Sequence, residues 1–181
     1  MRTLQSLVDD VFLKEGDVYA GPPTIDQPTG RGGIVLATIQ AWNEALNLLP
    51  EPPTVEDLRR LTRSEAEAIV QWKLEQLSKE MQLDYIRFEP LRLHLLDFGY
   101  NSGGPRAIRW LQRVLLTPRS GRLDGVTLTT LNQADSRLVH QALIAARLQM
   151  VDEWTDADAK RKMWEEGLEN RILSFSLLPK P

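Results

Sequence analysis

Apolar residues recur at intervals of three and four along most of the chain, the spacing of one face of an α-helix. The first such segment covers residues 3–15, and Gly16 is predicted to end it, because glycine readily adopts the backbone conformation that follows a helix. Similar segments follow at about 35–48, 65–81, 91–98, 105–115, 128–131, 138–150 and 155–175. Capping boxes are predicted at Thr54 with Asp57, Ser64 with Glu67, and Thr155 with Asp158. The pattern therefore predicts a mainly α fold.

Two stretches rich in glycine interrupt this pattern. Residues 16–34 read GDVYAGPPTIDQPTGRGGI, in which the density of glycine and proline favours a turn-rich loop or a small irregular hairpin. The second stretch, GYNSGGP at 99–105, is predicted to end the helix after Phe98, and Pro105 is predicted to open the next one. Loops of this kind bring backbone close to ligands, so both stretches are candidates for a functional site.

Composition narrows the classes of function. The 181 residues are enough for one domain with a real core, and 42% hydrophobic with 26% charged residues is typical of a globular protein. There are no cysteines, and the two histidines lie far apart, so we expect no metal and no cofactor. A net charge of -3 with scattered basic residues argues against a nucleic-acid partner. The chain has no apolar run long enough for a membrane span, and its start does not resemble a signal peptide.

Glu15 is the first candidate catalytic residue. It follows Phe12 by three positions, so its side chain is expected at the edge of the buried face in the last turn of the first helix. Partial burial and the negative end of the helix dipole both favour the neutral acid, which is what a glycosidase needs to protonate a leaving sugar oxygen. The alternative is a solvated glutamate at a helix end.

Asp26 and Thr29 extend this hypothesis into the loop. If the loop folds back over Glu15, Asp26 could activate a water molecule and Thr29 could orient it. The alternative is that both are turn residues whose side chains hold the loop.

The second glycine-rich stretch offers a candidate binding segment. Tyr100, Asn101 and Ser102 are polar residues between two apolar segments, and such a group can hydrogen-bond a sugar and its acetamido group. The alternative is a helix-to-helix turn in which asparagine and glycine tolerate a positive φ.

Four stretches, taken in order, resemble a known family. These are EGDVYAGPPTIDQPTGRGGI, LTRSEAEAIVQWK, LLDFGYNSGGPRAIRWLQRVL followed by LDGVTLTTL, and MWEEGLENRI. In this order they resemble four motif blocks of the N-acetylmuramidases of glycoside hydrolase family 108. The first two blocks are the family's opening E-G-G-Y, D-P-G-G and T-x-x-G-I block and its Leu-Thr, Glu-Ala, Ile-Tyr helix. The last two are its D-F-A-V-N-S-G, A-x-x-W-L-Q-R and D-G segments and its closing F-L-x-G-W-x-N-R helix. The resemblance covers nearly the whole chain.

The resemblance implies hydrolysis of the β-1,4 bond between N-acetylmuramic acid and N-acetylglucosamine, with Glu15 as general acid. Asn101, Ser102 and Gly103 match the family's N-S-G, in a region described as a predicted peptidoglycan-binding region. Asp17 departs from the motif, because it replaces the second glycine of E-G-G. The D-P-G-G is missing, so Asp26 and Thr29 match their counterparts only after a gap is placed.

These observations predict one mainly α, lysozyme-like domain over 1–181, with a catalytic part at 1–88 and a helical part resembling a peptidoglycan-binding region at 89–181. The Glu15 helix and its loop would form one wall of a cleft, and the segment from Tyr100 to Gly103 the other. The expected partner is the glycan strand of peptidoglycan, reached from the bacterial cytoplasm through a holin or a secretion machine, as for a phage endolysin. The alternative from another class is a non-catalytic wall-binding or interaction module on the same scaffold.

Overall fold

The computed structural model describes residues 2–20 and 28–176, and within them the chain is mainly helical. These residues form nine α-helices: α1 Leu4–Glu15, α2 Leu36–Leu46, α3 Val55–Arg60, α4 Arg63–Glu80, α5 Glu89–Ser102, α6 Gly104–Val114, α7 Gly125–Gln133, α8 Ser136–Asp156 and α9 Glu165–Leu173. Short 3₁₀ turns lie at Arg31–Gly33, Leu83–Tyr85 and Ala159–Trp164. The predicted fold class, helical with an irregular segment after the first helix, is confirmed. None of the helices in the described ranges is long and apolar enough to cross a membrane.

The chain divides into two compact units. The N-terminal unit is Thr3–Gln76, and the C-terminal unit is Leu77–Pro181 together with Met1–Arg2. The boundary therefore falls near the end of α4, twelve positions before the division after residue 88 that the sequence predicts. The functional content of that predicted division stays a prediction.

Local capping explains where the helices of the N-terminal unit begin. Thr3 and Thr54 each accept a hydrogen bond from the backbone three residues on, and each cap is completed by a returning side chain. The predicted box at Ser64 is wrong, because the Thr62 backbone N–H donates to Glu65 Oε2 at 2.8 Å and α4 begins at Arg63. Apolar faces of these helices form the core of the unit, which includes Leu7, Val8, Val11, Phe12, Ile39, Leu58, Ile69, Val70 and Leu74.

Helix α5 is the central element of the C-terminal unit. It contacts α6 and α8, and every residue from Leu93 to Gly99 is buried. This stretch is buried on all sides and has apolar residues on every face, and its two polar residues, His94 and Asp97, are buried among them. Each fully buried leucine here contributes on the order of 1.5–3 kcal/mol of transfer free energy.

The predicted break after Phe98 is wrong, because α5 continues one turn further to Ser102. Gly99 stands inside the helix: a Cβ there would lie 2.5 Å from Met81 Sδ, so only glycine allows this close approach. The actual break is at Gly103, whose φ of 88° is unfavourable for residues with a side chain.

The predicted start of the last helix at Thr155 is also wrong, although Glu165–Leu173 within the predicted range is helical. Thr155 is a buried residue near the end of α8, and its hydroxyl donates to Glu165 Oε1 at 2.7 Å. The turn Ala159–Trp164 then separates α8 from α9. Thr155 therefore links two helices through its side chain rather than opening the last one.

Candidate active site

Glu15 is the last residue of α1, as the sequence predicts. The buried face of α1, formed by Leu7, Val8, Val11 and Phe12, anchors the helix in the core of the N-terminal unit. Gly16 ends it with a φ of 82° and donates its backbone N–H to the Phe12 carbonyl at 3.0 Å. The position of Glu15 is thus set by a rigid helix with a defined end.

The side chain of Glu15 lies against Gly33. A Cβ added at Gly33 would lie 2.9 Å from Glu15 Oε2 and 3.0 Å from its Cγ. The predicted partial burial of Glu15 is wrong, because the residue is exposed. Its carboxylate is therefore placed by close contact with the returning loop, and solvent or a large substrate can reach it.

Backbone hydrogen bonds close the loop at its base. Ala20 and Thr29 exchange both backbone hydrogen bonds at 2.8 Å, and Thr29 also forms a bridge with Val35. Gly32 donates its N–H to the Gly16 carbonyl at 2.9 Å. The described ends of the loop thus form the small irregular hairpin that the sequence allows.

The two loop residues predicted to handle water have different outcomes. Thr29 is half-buried at the base of the loop, with its backbone engaged by Ala20. Asp26 lies outside the described residues, which resume at residue 28. A role for either side chain in holding water stays a prediction.

Asp17 is the residue of this region whose contacts sequence reasoning missed. Arg31 Nη1 donates both to the Asp17 backbone carbonyl and to Asp17 Oδ1, the latter at 3.1 Å. Arg63 Nη1 lies 3.2 Å from Asp17 Oδ2. The hydrogen bond from Arg31, followed by that from Arg63, holds the pKa of Asp17 below its usual range despite some desolvation. We call Asp17, Arg31 and Arg63 the Asp17 clamp.

The arginines of the Asp17 clamp are themselves fixed. Arg31 Nε donates to the Leu61 carbonyl at 2.9 Å, and Arg63 Nε donates to Glu67 Oε1 at 2.7 Å. The Arg63 guanidinium also lies 3.8 Å from the centroid of the Phe12 ring. The clamp therefore joins the loop to α1, to α4 and to the α3–α4 connection. The sequence signal that could have indicated this clamp is an acidic residue, Asp17, in a glycine-rich loop that also contains Arg31.

The predicted binding segment belongs to the C-terminal unit. Tyr100, Asn101 and Ser102 form the last turn of α5, and Gly103 is the residue with positive φ that ends it. Tyr100 and Ser102 are half-buried, whereas Asn101 and Gly103 are exposed. Asn101 Nδ2 donates to the Asp97 carbonyl at 2.6 Å, so part of its amide is used within its own helix. The predicted cleft between this segment and Glu15 stays a prediction.

A cavity of about 500 Å³ lies within the C-terminal unit next to this segment. Its lining includes Met81, Gly104, Ile108, Arg122 and Asp124, but none of the four predicted binding residues. The loop on one side is tied to α6, because the Gly121 N–H donates to buried Gln112 Oε1 at 2.9 Å. The volume is in the range of small-molecule sites.

Behind the binding segment, Asp97 is buried between two arginines. Arg147 Nη1 donates to Asp97 Oδ2 at 2.8 Å, and Arg171 Nε donates to Asp97 Oδ1 at 2.6 Å. Burial alone would raise the pKa of Asp97, but the two guanidiniums outweigh it and hold this pKa below its usual range. We call these three residues the Asp97 cluster.

Two buried histidines lie close to the Asp97 cluster. The rings of His94 and His140 have centroids 5.3 Å apart in an edge-to-face arrangement, and His94 stacks on Phe175 at 4.9 Å. No ring nitrogen of either histidine has a hydrogen-bond partner among the described residues. Burial lowers the pKa of His140 to about 4 and that of His94 well below its usual range, so both rings are neutral near pH 7. Within the described ranges, no group of three potential metal ligands occurs.

Comparison with solved structures shows a likeness in fold. It is similar to a protein from Brucella, in a structure titled "Structure of Brucella abortus SagA", with a TM-score of 0.62 and 22% sequence identity over 97% of this chain and 96% of that one. No family model matches the sequence, and no curated protein does. The likeness shows a shared fold over nearly the full length of both chains.

Proposed function

We propose that this protein is a peptidoglycan hydrolase, an N-acetylmuramidase in which Glu15 is the general acid. The observation that carries the proposal is the placement of Glu15: an exposed carboxylate at the end of an anchored helix, held against Gly33 of a closed loop. A glycan strand is a long polymer, so its hydrolysis needs an acid that a bulky substrate can reach. The order of the four motif blocks, with Glu15 at the acid's position, supports the same function.

In the proposed reaction, the protonated Glu15 carboxyl donates its proton to the glycosidic oxygen while the bond from the anomeric carbon to that oxygen breaks. Positive charge develops on the sugar in an oxocarbenium-like transition state. Water then adds to the anomeric carbon and gives one proton to the Asp26 carboxylate, which completes hydrolysis to two shorter strands. Before the next cycle Asp26 releases this proton to solvent and Glu15 takes one up from solvent. We assign the holding of this water to Asp26 and Thr29, and contacts with the sugar to Tyr100, Asn101, Ser102 and Gly103.

Glu15→Gln tests the proposal, because glutamine keeps the shape of the side chain but cannot donate the proton. We expect wild-type protein to release new reducing ends from purified peptidoglycan and the variant to lose at least about 100-fold in rate. The matched control is Glu44→Gln, which removes an exposed carboxylate from α2 in the same unit. Retained lysis by Glu15→Gln, with the same products, would refute the assignment.

One observation favours a second candidate, a non-catalytic peptidoglycan-binding module. The loop after Glu15 departs from the muramidase motif, because Asp17 replaces the second glycine of E-G-G and the D-P-G-G is missing. A binding module would sediment with insoluble peptidoglycan without releasing reducing ends. Sedimentation and product assays on one wild-type sample therefore separate the two candidates.

The substrate of the proposed reaction lies outside the cytoplasmic membrane of a bacterium. We therefore propose that the protein is made in the cytoplasm and acts at the cell wall or in the periplasm, after delivery by a holin lesion or a secretion machine. Expression in a host without the secretion machine, with and without a co-expressed holin, tests this proposal. Lysis that follows only holin expression is the expected result, and lysis in the absence of both delivery systems would contradict the proposal.

A further inference from the structure

We infer that Asp17 is a positioning residue for Glu15, acting through the Asp17 clamp; the inference rests on the proposed function. Asp17 lies two residues beyond Glu15, in the irregular segment that follows the end of α1. Its backbone carbonyl and both carboxylate oxygens are engaged by guanidinium groups from the far end of the loop and from the start of α4. The chain just after Glu15 is therefore held at three atoms of one residue.

The same contacts also fix the surface against which Glu15 lies. Arg31 opens the 3₁₀ turn that contains Gly33, the residue in contact with the Glu15 carboxylate. The Gly32 N–H donates to the Gly16 carbonyl at 2.9 Å, and this bond joins the same two chain segments as the contact between Arg31 and Asp17. Movement of Arg31 away from Asp17 would carry Gly33 with it and free the Glu15 side chain to take other rotamers.

We expect the Asp17 clamp to affect the rate of catalysis rather than the stability of the fold. Asp17 has 44% of its side chain exposed, and Arg31 and Arg63 are about as exposed, so their ion pairs contribute little to folding. A general acid, by contrast, is sensitive to small errors: a displacement on the order of 1 Å can lower the rate about 100-fold. Weak surface contacts at this position thus have a large expected effect on catalysis and a small one on folding.

Asp17→Asn removes the negative charge and keeps the shape, and it is assayed on soluble glycan fragments prepared from peptidoglycan. We expect kcat to fall about 10- to 100-fold while KM changes less than about 2-fold, because the acid rather than the bound sugar is displaced. Asp17→Glu should recover most of the lost kcat, since its longer carboxylate still reaches both guanidiniums. Asp9→Asn is the matched control: it removes an exposed carboxylate from α1 itself and should leave both constants unchanged.

A second variant and a structural measurement keep the test decisive. Arg31→Lys keeps the positive charge but loses the fork that reaches both Asp17 and the Leu61 carbonyl, so it should lower kcat as Asp17→Asn does. Amide hydrogen exchange at Gly32, measured without substrate, should accelerate in both variants. Wild-type kcat in Asp17→Asn, or no recovery by Asp17→Glu, would overturn the inference while Glu15→Gln remained inactive. An inactive wild-type protein would instead overturn the proposed function and the inference together.

Discussion

The Asp17 clamp and the Asp97 cluster are chemically alike: each places one carboxylate between two guanidiniums. They differ in burial. The Asp17 side chain is 44% exposed, whereas the Asp97 side chain is 0% exposed and its two arginines are buried with it. The same set of charged groups is therefore solvent-exposed beside the candidate catalytic acid and buried in the core of the C-terminal unit.

This difference determines what each arrangement can do. Water screens exposed ion pairs, so the clamp can orient a loop without contributing much to folding. Burial of three charges is costly, and the Asp97 cluster is tolerated only because its members satisfy one another; removing one member leaves the others unpaired. An exposed ion-pair network can therefore position a loop at little cost to folding, whereas the stability of a unit depends on every member of a buried network.

The largest expected effect is that of Asp97→Asn in the buried cluster. Asparagine keeps the shape but leaves Arg147 and Arg171 as uncompensated buried cations, so we expect the C-terminal unit to lose about 3–5 kcal/mol of unfolding free energy. Urea unfolding combined with residue-resolved hydrogen exchange in α5 and α8 measures this loss. Loss of protection confined to the N-terminal unit would contradict the interpretation.

A companion variant tests whether the cost comes from unpaired charge. Replacing Asp97, Arg147 and Arg171 together by apolar residues of similar volume removes all three charges, and such replacements are often neutral or stabilising. We expect the triple variant to be more stable than Asp97→Asn. The reverse order would show that the cluster stabilises the unit by its hydrogen bonds.

A smaller effect is expected from the pair of buried histidines. Burial lowers the pKa of His140 to about 4, and in the unfolded chain this pKa is about 6.5. Well above pH 6.5 neither state is protonated and the full stability is present. As the pH falls from 6.5 towards 4, only the unfolded chain takes up the proton, so stability decreases by up to about 3 kcal/mol. The lowered pKa of His94 acts in the same direction.

Urea unfolding at intervals between pH 7 and pH 4 checks this pH dependence. His140→Leu should flatten the slope, because it removes one of the two groups that bind protons only when unfolded. The slope is the informative quantity, since the substitution also changes packing against Phe88 and His94. An unchanged slope in the variant would contradict the assignment of the effect to His140.

Sequence periodicity predicted most of the fold because helix burial repeats with the helical period. The predicted end of α1 at Gly16 and the capping box at Thr54 are confirmed, since both depend on neighbours in sequence. The errors depend on distant contacts. Gly99 looks like a helix breaker from its neighbours in sequence, yet it lies inside α5. The position requires glycine because Met81 leaves no space for a Cβ. Thr155 looks like a cap, yet its partner is Glu165 on the next helix.

The candidate site shows the same division. Glu15 could be placed at a helix end from the sequence, but its exposure depends on how the loop returns, which local pattern does not specify. The Asp17 clamp joins residues 14 and 46 positions apart, and no periodic signal connects them. Which charged residues pair at such separations can be determined only from the fold. The sequence could therefore identify Glu15 as a candidate acid but not the residues of the Asp17 clamp that hold the chain next to it.

The smallest expected effect is that of Asp17→Asn on folding. Because its ion pairs are exposed and screened, we expect the unfolding midpoint to move by less than about 3 °C, with unfolding curves that overlay those of the wild type at high salt. Thermal unfolding of Asp17→Asn and Asp97→Asn under the same conditions measures the contrast directly. A comparable destabilisation in the two variants would show that the exposed clamp is a folding element, and the distinction drawn from burial would fail. The expected result is an almost unchanged unfolding midpoint in Asp17→Asn and a strongly lowered one in Asp97→Asn. Because both carboxylates lie between two arginines, this result would attribute the difference in folding stability to burial rather than to the arrangement of charges.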